Sequence, residues 1–487
     1  MRTLLLGCLV IFAPLVAAHG TPLLELMDTP DTTRPFGGRS AANDGTSAYF
    51  NPARLSLNHR RLSVTYLTYS SNLRIRRNAR PDGYDVPASV YQSQAVINGQ
   101  AVPLSRRPLP TNDLPTSPDE IDQTKRGHSV VIGLSAPIVS DTLSFGFTSI
   151  FAVGKLQELE PFFVDERAQY FDNQLHYELY GDRLDVTTFV AALAYRPIES
   201  LTIGVGASML NDSRSAPQVY LADATDQNRA LINPQVTVEP VFVPHFGVMI
   251  RPMGVDTVEL SANVHLPSES RMTGASRVKF WQFEYPDGQD ALRQPYDLVF
   301  MSEPLRTSLG GRWTVDMAGG RTLELYGDCL WTRWTQYTDR QGDRPSGWSD
   351  TVSGRLGLRW QIGAHAMGVG AAYTPSPVPE QNGRTNYVDG HRLGNQLGYR
   401  WTTDVKGQRI GFGVGFGASW IGERKHAKQP TADAPVLDEF PDAVNIATGA
   451  AVGASNGLQT NNPGFPGFEH DGFILNGRFT LSVESSP

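Results

Sequence analysis

The feature that most constrains this chain is a period-two alternation of apolar with small or polar residues, recurring from near residue 60 to the end. Leu143, Phe145, Phe147, Phe151 and Val153 stand against Thr142, Ser144, Gly146 and Thr148. Val258, Leu260, Ala262, Val264 and Leu266 stand against Glu259, Ser261, Asn263 and His265. Phe412, Val414, Phe416, Ala418 and Trp420 stand against Gly411, Gly413, Gly415, Gly417 and Ser419. Successive side chains of a strand point to opposite faces, so each segment reads as a two-faced strand. No long 3.6-residue pattern bounded by caps competes with it.

Read throughout, the alternation predicts about fourteen strands. They fall near 60–72, 127–137, 141–153, 183–197, 200–210, 237–252, 254–267, 305–316, 319–332, 351–363, 364–374, 393–404, 406–421 and 471–483. Each has about ten residues, the length a tilted strand needs to cross a bilayer. The connections alternate in length. Turns near 138–140, 198–199, 253, 317–318, 363–364 and 405 are very short. Those near 73–126, 154–182, 211–236, 268–304, 333–350, 375–392 and 422–470 are long and rich in Pro, Asp, Asn and Gly. This sorting is the signature of an outer-membrane β-barrel, with both chain ends on the short-turn side. A soluble sandwich has no reason to sort its loops.

Chemistry decides which face looks outward. One face carries Glu259, His265, Arg306, Arg312, Glu324, Asp328, Arg355, Arg359 and Arg478. In a soluble barrel they would be charges buried without partners, each a heavy cost. In a membrane barrel they line a wet lumen while the apolar face meets lipid, where a charge at mid-depth costs about 2–4 kcal/mol.

Composition alone points elsewhere. With 487 residues, 40% hydrophobic and 19% charged, the chain would divide into two or three soluble domains. A barrel removes the conflict, because half of its strand residues face a polar interior. The net charge of -7 offers no basic face for nucleic acid. Two cysteines, Cys8 and Cys329, cannot form a disulfide framework.

Met1-Arg2, the apolar stretch Leu4 to Val16, and Val16-Ala17-Ala18 read as a signal peptide cleaved after Ala18. Leu5-Leu6-Gly7-Cys8 has a lipobox spelling, but cleavage there would leave an apolar tail on the mature chain. Residues 19–58 do not alternate. They hold Gly37-Gly38-Arg39-Ser40-Ala41-Ala42-Asn43-Asp44-Gly45-Thr46-Ser47-Ala48-Tyr49-Phe50-Asn51-Pro52-Ala53, too polar and too small for an independent core. Preceding the first strand, they fit inside the barrel as a plug. The expected organisation is a signal over 1–18, a hatch over 19–58 and a barrel over 59–487.

Four stretches resemble the FadL/TodX family of outer-membrane transporters. The hatch segment ends in the family's Asn-Pro-Ala, here Asn51-Pro52-Ala53. Leu323-Glu324-Leu325-Tyr326-Gly327-Asp328-Cys329-Leu330-Trp331-Thr332-Arg333-Trp334 is similar to a family strand ending in Trp-x-x-Trp. Gly370-Ala371-Ala372-Tyr373-Thr374-Pro375-Ser376-Pro377-Val378-Pro379-Glu380, followed by Asp389-Gly390-His391-Arg392, resembles the family's Ser-Pro-Val-Pro loop and its Asp-x-Arg-His element with the last pair reversed. Glu303-Pro304-Leu305 adds a weaker match. The chain departs from the family in its opening, His19-Gly20-Thr21-Pro22-Leu23-Leu24, and in ending Val483-Glu484-Ser485-Ser486-Pro487 instead of with Phe.

The resemblance implies a fourteen-stranded barrel with an N-terminal hatch, taking up long-chain fatty acids, aromatics or other apolar molecules passively. Ligand is captured in a groove among outer loops and moves to an inner pocket. Rearrangement of the hatch at Asn51, Pro52 and Ala53 opens a path, with sideways exit near strand three. It also implies a monomer, contact with outer-membrane lipid and lipopolysaccharide, and insertion by the barrel-assembly machinery.

Groove candidates are Phe162 and Phe163 in one loop and Phe280, Trp281, Phe283 and Tyr285 in another. Burial of apolar ligand there yields about 0.8 kcal/mol per CH2. The same residues could equally pack their loops on the rim. Arg271, Arg277 and Lys279 could hold a carboxylate head or belong to a solvated loop. Trp331, Trp334, Trp360, Trp401 and Trp420 fit interfacial girdles.

An enzyme reading fails on context. Gly453-Ala454-Ser455-Asn456-Gly457 has nucleophile-elbow spelling but lies in a loop. No metal or nucleotide motif occurs, so no cofactor is implied. The remaining alternative is a general or structural porin, which has no use for a plug.

Overall fold

The computed structural model describes residues 22–57, 60–78, 94–97, 100–103, 120–139, 142–153, 176–177, 179–180, 184–210, 213–215, 219–222, 229–238, 241–253, 255–280, 292–339, 342–382, 385–428 and 467–485. The signal-peptide segment lies outside them.

Fourteen strands form a closed antiparallel barrel. They are β1 Arg61–Arg77, β2 Glu120–Val139, β3 Leu143–Ala152, β4 Thr188–Ile198, β5 Leu201–Leu210, β6 Val241–Ile250 and β7 Val258–His265. The second half is β8 Arg306–Met317, β9 Arg321–Thr332, β10 Thr351–Ile362, β11 His365–Thr374, β12 Arg392–Val405, β13 Gln408–Ala427 and β14 Gly467–Ser485. Each strand pairs with its neighbour in sequence. The ring closes where β1 meets β14, with Arg61 opposite Glu484 and Arg77 opposite Phe468. At β3 the wall is paired on both edges: with β2 from Leu143 to Ala152 and with β4 from Leu143 to Ile150.

The short connections make tight hairpins. Val405 pairs with Gln408 across Lys406-Gly407, whose φ values of 50° and 75° give the twist of a two-residue turn. Gly363, at φ 55°, serves the same purpose between Ile362 and His365. The link between β6 and β7 runs over 251–257, longer than the single residue expected at 253.

The pleat sorts the side chains as the charges require. Along β6, Val241, Val243, His245 and Met249 are buried while Phe242, Phe246 and Ile250 are exposed. Leu356 at 71%, Leu309 at 66% and Leu397 at 60% exposure form a belt that only lipid can cover. The charged residues of the opposite face point inward and are largely buried: Glu259, Glu324, Asp328, Arg306, Arg355 and Arg478 are each 7% exposed or less.

Four strands outrun their expected lengths. β1, β2, β13 and β14 have 17, 20, 20 and 19 residues. The reason is visible on β1, where exposed Leu62, Val64 and Tyr66 give way to Asn72, Arg74 and Arg76. Above the membrane the outer face is polar, so the apolar period disappears while backbone pairing continues. A second extension rises from β5 to β8. Strands Ser213–Ser215, Val219–Ala222, Arg229–Val238, Ser268–Phe280 and Leu292–Glu303 form a separate sheet within segments expected to be loops.

A charge placed on the lipid belt tests the sidedness. Leu356→Arg should lower barrel stability by about 2–4 kcal/mol, read from denaturant unfolding in liposomes. The same change at Met253, 86% exposed in a turn, should leave it within about 0.5 kcal/mol. Equal effects at both sites would contradict the belt.

Candidate functional site: the plug and the cavity above it

Residues 22–57 fill the barrel. They form helix α1, Pro22–Met27, a coil, helix α2, Ser47–Phe50, and a 3-10 turn, Pro52–Leu57. From Pro22 to Leu55 only Pro22, Glu25 and Asn43 escape full burial. The lumen-facing charges therefore do not line an open aqueous space, as the sequence led us to expect. They bind the plug.

The pairing is dense. Arg34 donates two parallel bonds of 2.9 Å to Glu324 on β9, and a third of 3.0 Å to Asp31. Arg359 on β10 reaches the same Glu324 at 2.6 Å. Arg54 lies 3.1 Å from Glu259 on β7, which also receives Arg312 at 2.8 Å and Arg251 at 3.1 Å. Arg355 holds Asp28 at 2.9 Å. Asp28 adopts φ 63° and turns the chain after α1, accepting the backbone N–H groups of Thr29 and Gly38. Arg478 and Gln396 donate to the Met27 carbonyl, each at 2.9 Å, satisfying an orphan acceptor at the end of α1.

Asn51, Pro52 and Ala53 sit on the opposite side of the interior. The Asn51 side chain accepts from the Ala53 N–H at 3.2 Å and donates to the Arg39 carbonyl at 3.4 Å. Pro52 opens the 3-10 turn, where its fixed φ fits and its missing N–H is not needed. The wall makes room with glycine. A Cβ on Gly247 would collide with the Asn51 side chain, and one on Gly204 with the backbone of Pro52 and Ala53. His245 contacts the Ala48 carbonyl at 2.5 Å and stacks on His265.

Above α1 lies a cavity of about 100 Å³. Its floor is Pro22, Glu25 and Leu26 of the plug. Leu179, Tyr180, Leu184, Trp334, Pro375 and Pro377 supply apolar and aromatic walls. Glu303, Arg306, Asp389 and Arg392 supply charge. Arg306 is ion-paired with Glu303 and approaches Glu25 to 3.8 Å. Arg392 donates to the Tyr180 hydroxyl at 3.3 Å, and that hydroxyl lies 3.5 Å from Asp389. Burial pushes the Asp389 carboxyl above its ordinary value, against the opposing pull of Ser376, Arg392 and Arg424. Behind the lining, Tyr337 stacks on Trp348 at 4.4 Å, and Val378 joins the same cluster.

Glu25 belongs to both structures. On the cavity floor, it also accepts from Arg39 at 2.6 Å and from the Tyr49 hydroxyl at 2.7 Å within the plug. Burial alone would raise its pKa, but Arg39, Arg306 and Arg355 outweigh that and hold the carboxyl well below its ordinary value.

Of the residues proposed from sequence, Phe162, Phe163, Trp281, Phe283 and Tyr285 lie outside the described residues. Phe280, Arg277 and Lys279 fall on the strand Ser268–Phe280, opposite Ala230, Asn233 and Leu231. Arg271, on the same strand, pairs with Asp297 at 2.8 Å and Glu269 at 3.1 Å, away from the cavity. Trp334 lines the cavity and does not join the girdle, where Trp360, Trp401 and Trp420 are exposed as expected. Sequence reasoning missed Glu25, Tyr180, Arg306 and Arg392 as site residues. Arg392 carried a signal through its place in the motif after Asp389, and Arg306 through its place on the inward charged face, but neither pointed to a cavity.

Two tests probe the plug. Glu324→Ala leaves Arg34 and Arg359 facing each other and should cost about 3–5 kcal/mol of plug attachment, whereas pairing it with Arg34→Met should recover part of the loss. Ion conductance of the reconstituted barrel reads both; equal conductance in the single and double variants would contradict the assignment. For Glu25 the folded pKa is depressed, so its contribution is complete above its ordinary value of 4.5 and falls away as pH drops below it. Conductance should rise on acidification below about pH 4, and Glu25→Gln should raise the neutral-pH conductance and shrink that rise, the remainder belonging to the other carboxylates that hold the plug.

No family model matches the sequence, and no curated protein matches it. Solved structures do. A Pseudomonas aeruginosa FadL homologue matches at 15% identity and a TM-score of 0.55, over 97% of this chain and 99% of that one. The toluene transporter TodX of P. putida matches at 10% identity and 0.46, over 97% and 100%. The toluene transporter TbuX of Ralstonia pickettii matches at 11% and 0.41, over 96% and 99%. Across nearly the whole length of both chains, this protein has the fold of the FadL homologue.

Proposed function

We propose that the chain is an outer-membrane channel for passive uptake of hydrophobic compounds, gated by its plug. The observation that carries this is the cavity that lies between extracellular segments and a plug that occupies the barrel. The full-length likeness to the FadL homologue supports it. An apolar solute crosses packed lipopolysaccharide slowly and gains little from a water-filled pore. An apolar cavity concentrates it, at about 0.8 kcal/mol per CH2 buried. The aromatics Phe162, Phe163, Trp281, Phe283 and Tyr285, with Phe280 at the end of its strand, would form the outer groove that feeds the cavity.

Onward passage requires the floor to move. Glu25 is the link in this reading, because displacing α1 breaks its bonds to Arg39 and Tyr49. Asn51, Pro52 and Ala53 then shift against Gly204 and Gly247, a movement that must also carry Arg54 off Glu259. No step is covalent, and no cofactor takes part. The porin alternative leaves a plug held by buried ion pairs without a purpose.

Flux into proteoliposomes tests the proposal. The full chain should carry at least one of toluene, dodecane and oleate saturably while excluding sugars. Deleting 22–57 should give an unsaturable leak that passes sugars, with heat-modified gel mobility confirming a folded barrel. Sugar flux through the full chain as fast as through the deletion would establish the porin instead.

A further inference from the structure

We infer that His391 and His426 are positioning residues of the cavity, holding residues 375–381 as its wall only while their rings are neutral, so that acid on the extracellular side frees that wall. This concerns what keeps the cavity in shape, not what enters it, and so goes beyond the uptake reading.

Pro375 and Pro377 line the cavity, and neither histidine does. The Ser376 N–H donates to Nδ1 of His391 at 3.1 Å, and the Gln381 N–H donates to Nδ1 of His426 at 3.1 Å. The segment is thus held near both ends by imidazole nitrogens acting as acceptors. An acceptor nitrogen carries no proton, so each neutral ring has its proton on Nε2. At His426 that proton has a partner. Nε2 of His470 lies 3.3 Å away, and the two rings stack at 5.4 Å. His470 then accepts at Nε2 and carries its own proton on Nδ1. The pair holds two protons with every bond made. A third must sit on Nδ1 of His426, facing the Gln381 N–H, or crowd a second proton between the rings. Gln381, His426 and His470 are each 2% exposed or less, so a bond lost there is not replaced by water. At His391 an added proton sets two donors face to face and ends the bond to Ser376.

Arg424 on β13 donates to the Ser376 hydroxyl at 3.3 Å and to the carbonyls of Val378 at 2.9 Å and Asp389 at 3.0 Å. Its guanidinium stays charged in acid, so these bonds bring the segment back once the histidines are neutral again. Arg424 and Lys428 of β13 face His426, while Asp471 of β14 and Tyr177 face His470. Glu380 and Asp389 of the loop act through Arg424. His391 lies between Arg392 in sequence and the Tyr373 ring in space. Burial, then Arg424 and Lys428, lower His426 to about 4. A histidine depressed in the closed form holds fully above its ordinary value of 6.5, and the hold is lost as pH falls from there toward about 4.

Hydrogen exchange of the full chain in detergent tests the hold. It is read by mass spectrometry on peptides covering 375–381, scaled to the intrinsic rate at each pH. Protection should fall at least about tenfold between about pH 7 and about pH 4.5, while peptides from Thr351–Ile362 keep theirs. His391→Asn combined with His426→Asn places an amide oxygen where each Nδ1 stood, an acceptor that takes no proton. That variant should keep its protection in acid. Should it fail to fold, His391→Asn alone, at an exposed residue, should shrink the fall. Unchanged protection of the natural chain in acid overturns the inference. So does a fall that persists in full in the variant, which would belong to Asp389. Flux is not read, so either result leaves the uptake reading standing.

Discussion

The bidentate contact between Arg34 and Glu324 shows what the rest of the structure depends on. A ring of fourteen strands is too wide for its own side chains to fill. The wall here presents charged inner residues to that space, and the plug is too polar to fold alone. Each supplies what the other lacks: Glu324 and Glu259 take Arg34 and Arg54, while Arg355 takes Asp28. Buried ion pairs add less net stability than apolar packing of equal volume, but they punish misalignment severely. A plug shifted by one residue would leave several charges buried without partners. The network thus specifies where the plug sits more than how tightly it is held.

The interior is not uniform around the ring. From β7 to β10 the inward residues include Glu259, Arg306, Arg312, Glu324, Arg355 and Arg359. From β3 to β5 they are small and neutral: Gly146, Thr148, Ala192, Ala194, Gly204 and Gly206. The coil after α1 meets the charged side, whereas α2 and the Asn-Pro-Ala turn lie on the small-residue side. One side fixes the plug by directional bonds. The other receives it by shape, through glycines that let backbone approach backbone. The two kinds of contact meet in one turn, where Pro52 and Ala53 lie against Gly204 and the next residue, Arg54, is held by Glu259.

Much of this fold was legible before any coordinates, because a membrane imposes one rule on every spanning strand. Lipid outside and polar groups inside force period two, and the turn between Val405 and Gln408 has no room for anything but a hairpin. The extensions of β1 and β14 were illegible for the same reason. Once Arg74 and Asp471 stand above the bilayer, nothing requires their face to be apolar, and the pattern stops while the ladder goes on. The extracellular sheet around Ser268–Phe280 escaped in the same way. The inner charges were read correctly as lumen-facing, but their partners could not be read, since Arg34 and Glu324 stand 290 residues apart.

The cavity shows why a motif is easier to find than its purpose. Pro375, Pro377, Asp389 and Arg392 were recognisable as a pattern, and Trp334 belonged to another. Nothing along the chain says that both patterns close over Glu25. That meeting follows from ring order: Trp334 opens the 3-10 turn just beyond the extracellular end of β9, and β11 and β12 carry the proline loop at theirs. α1 is pinned beneath them because Arg478 and Gln396 both hold its last carbonyl, that of Met27. A site built from the ends of several strands and the start of the plug inherits its position from the barrel, and its contents from residues that share no period.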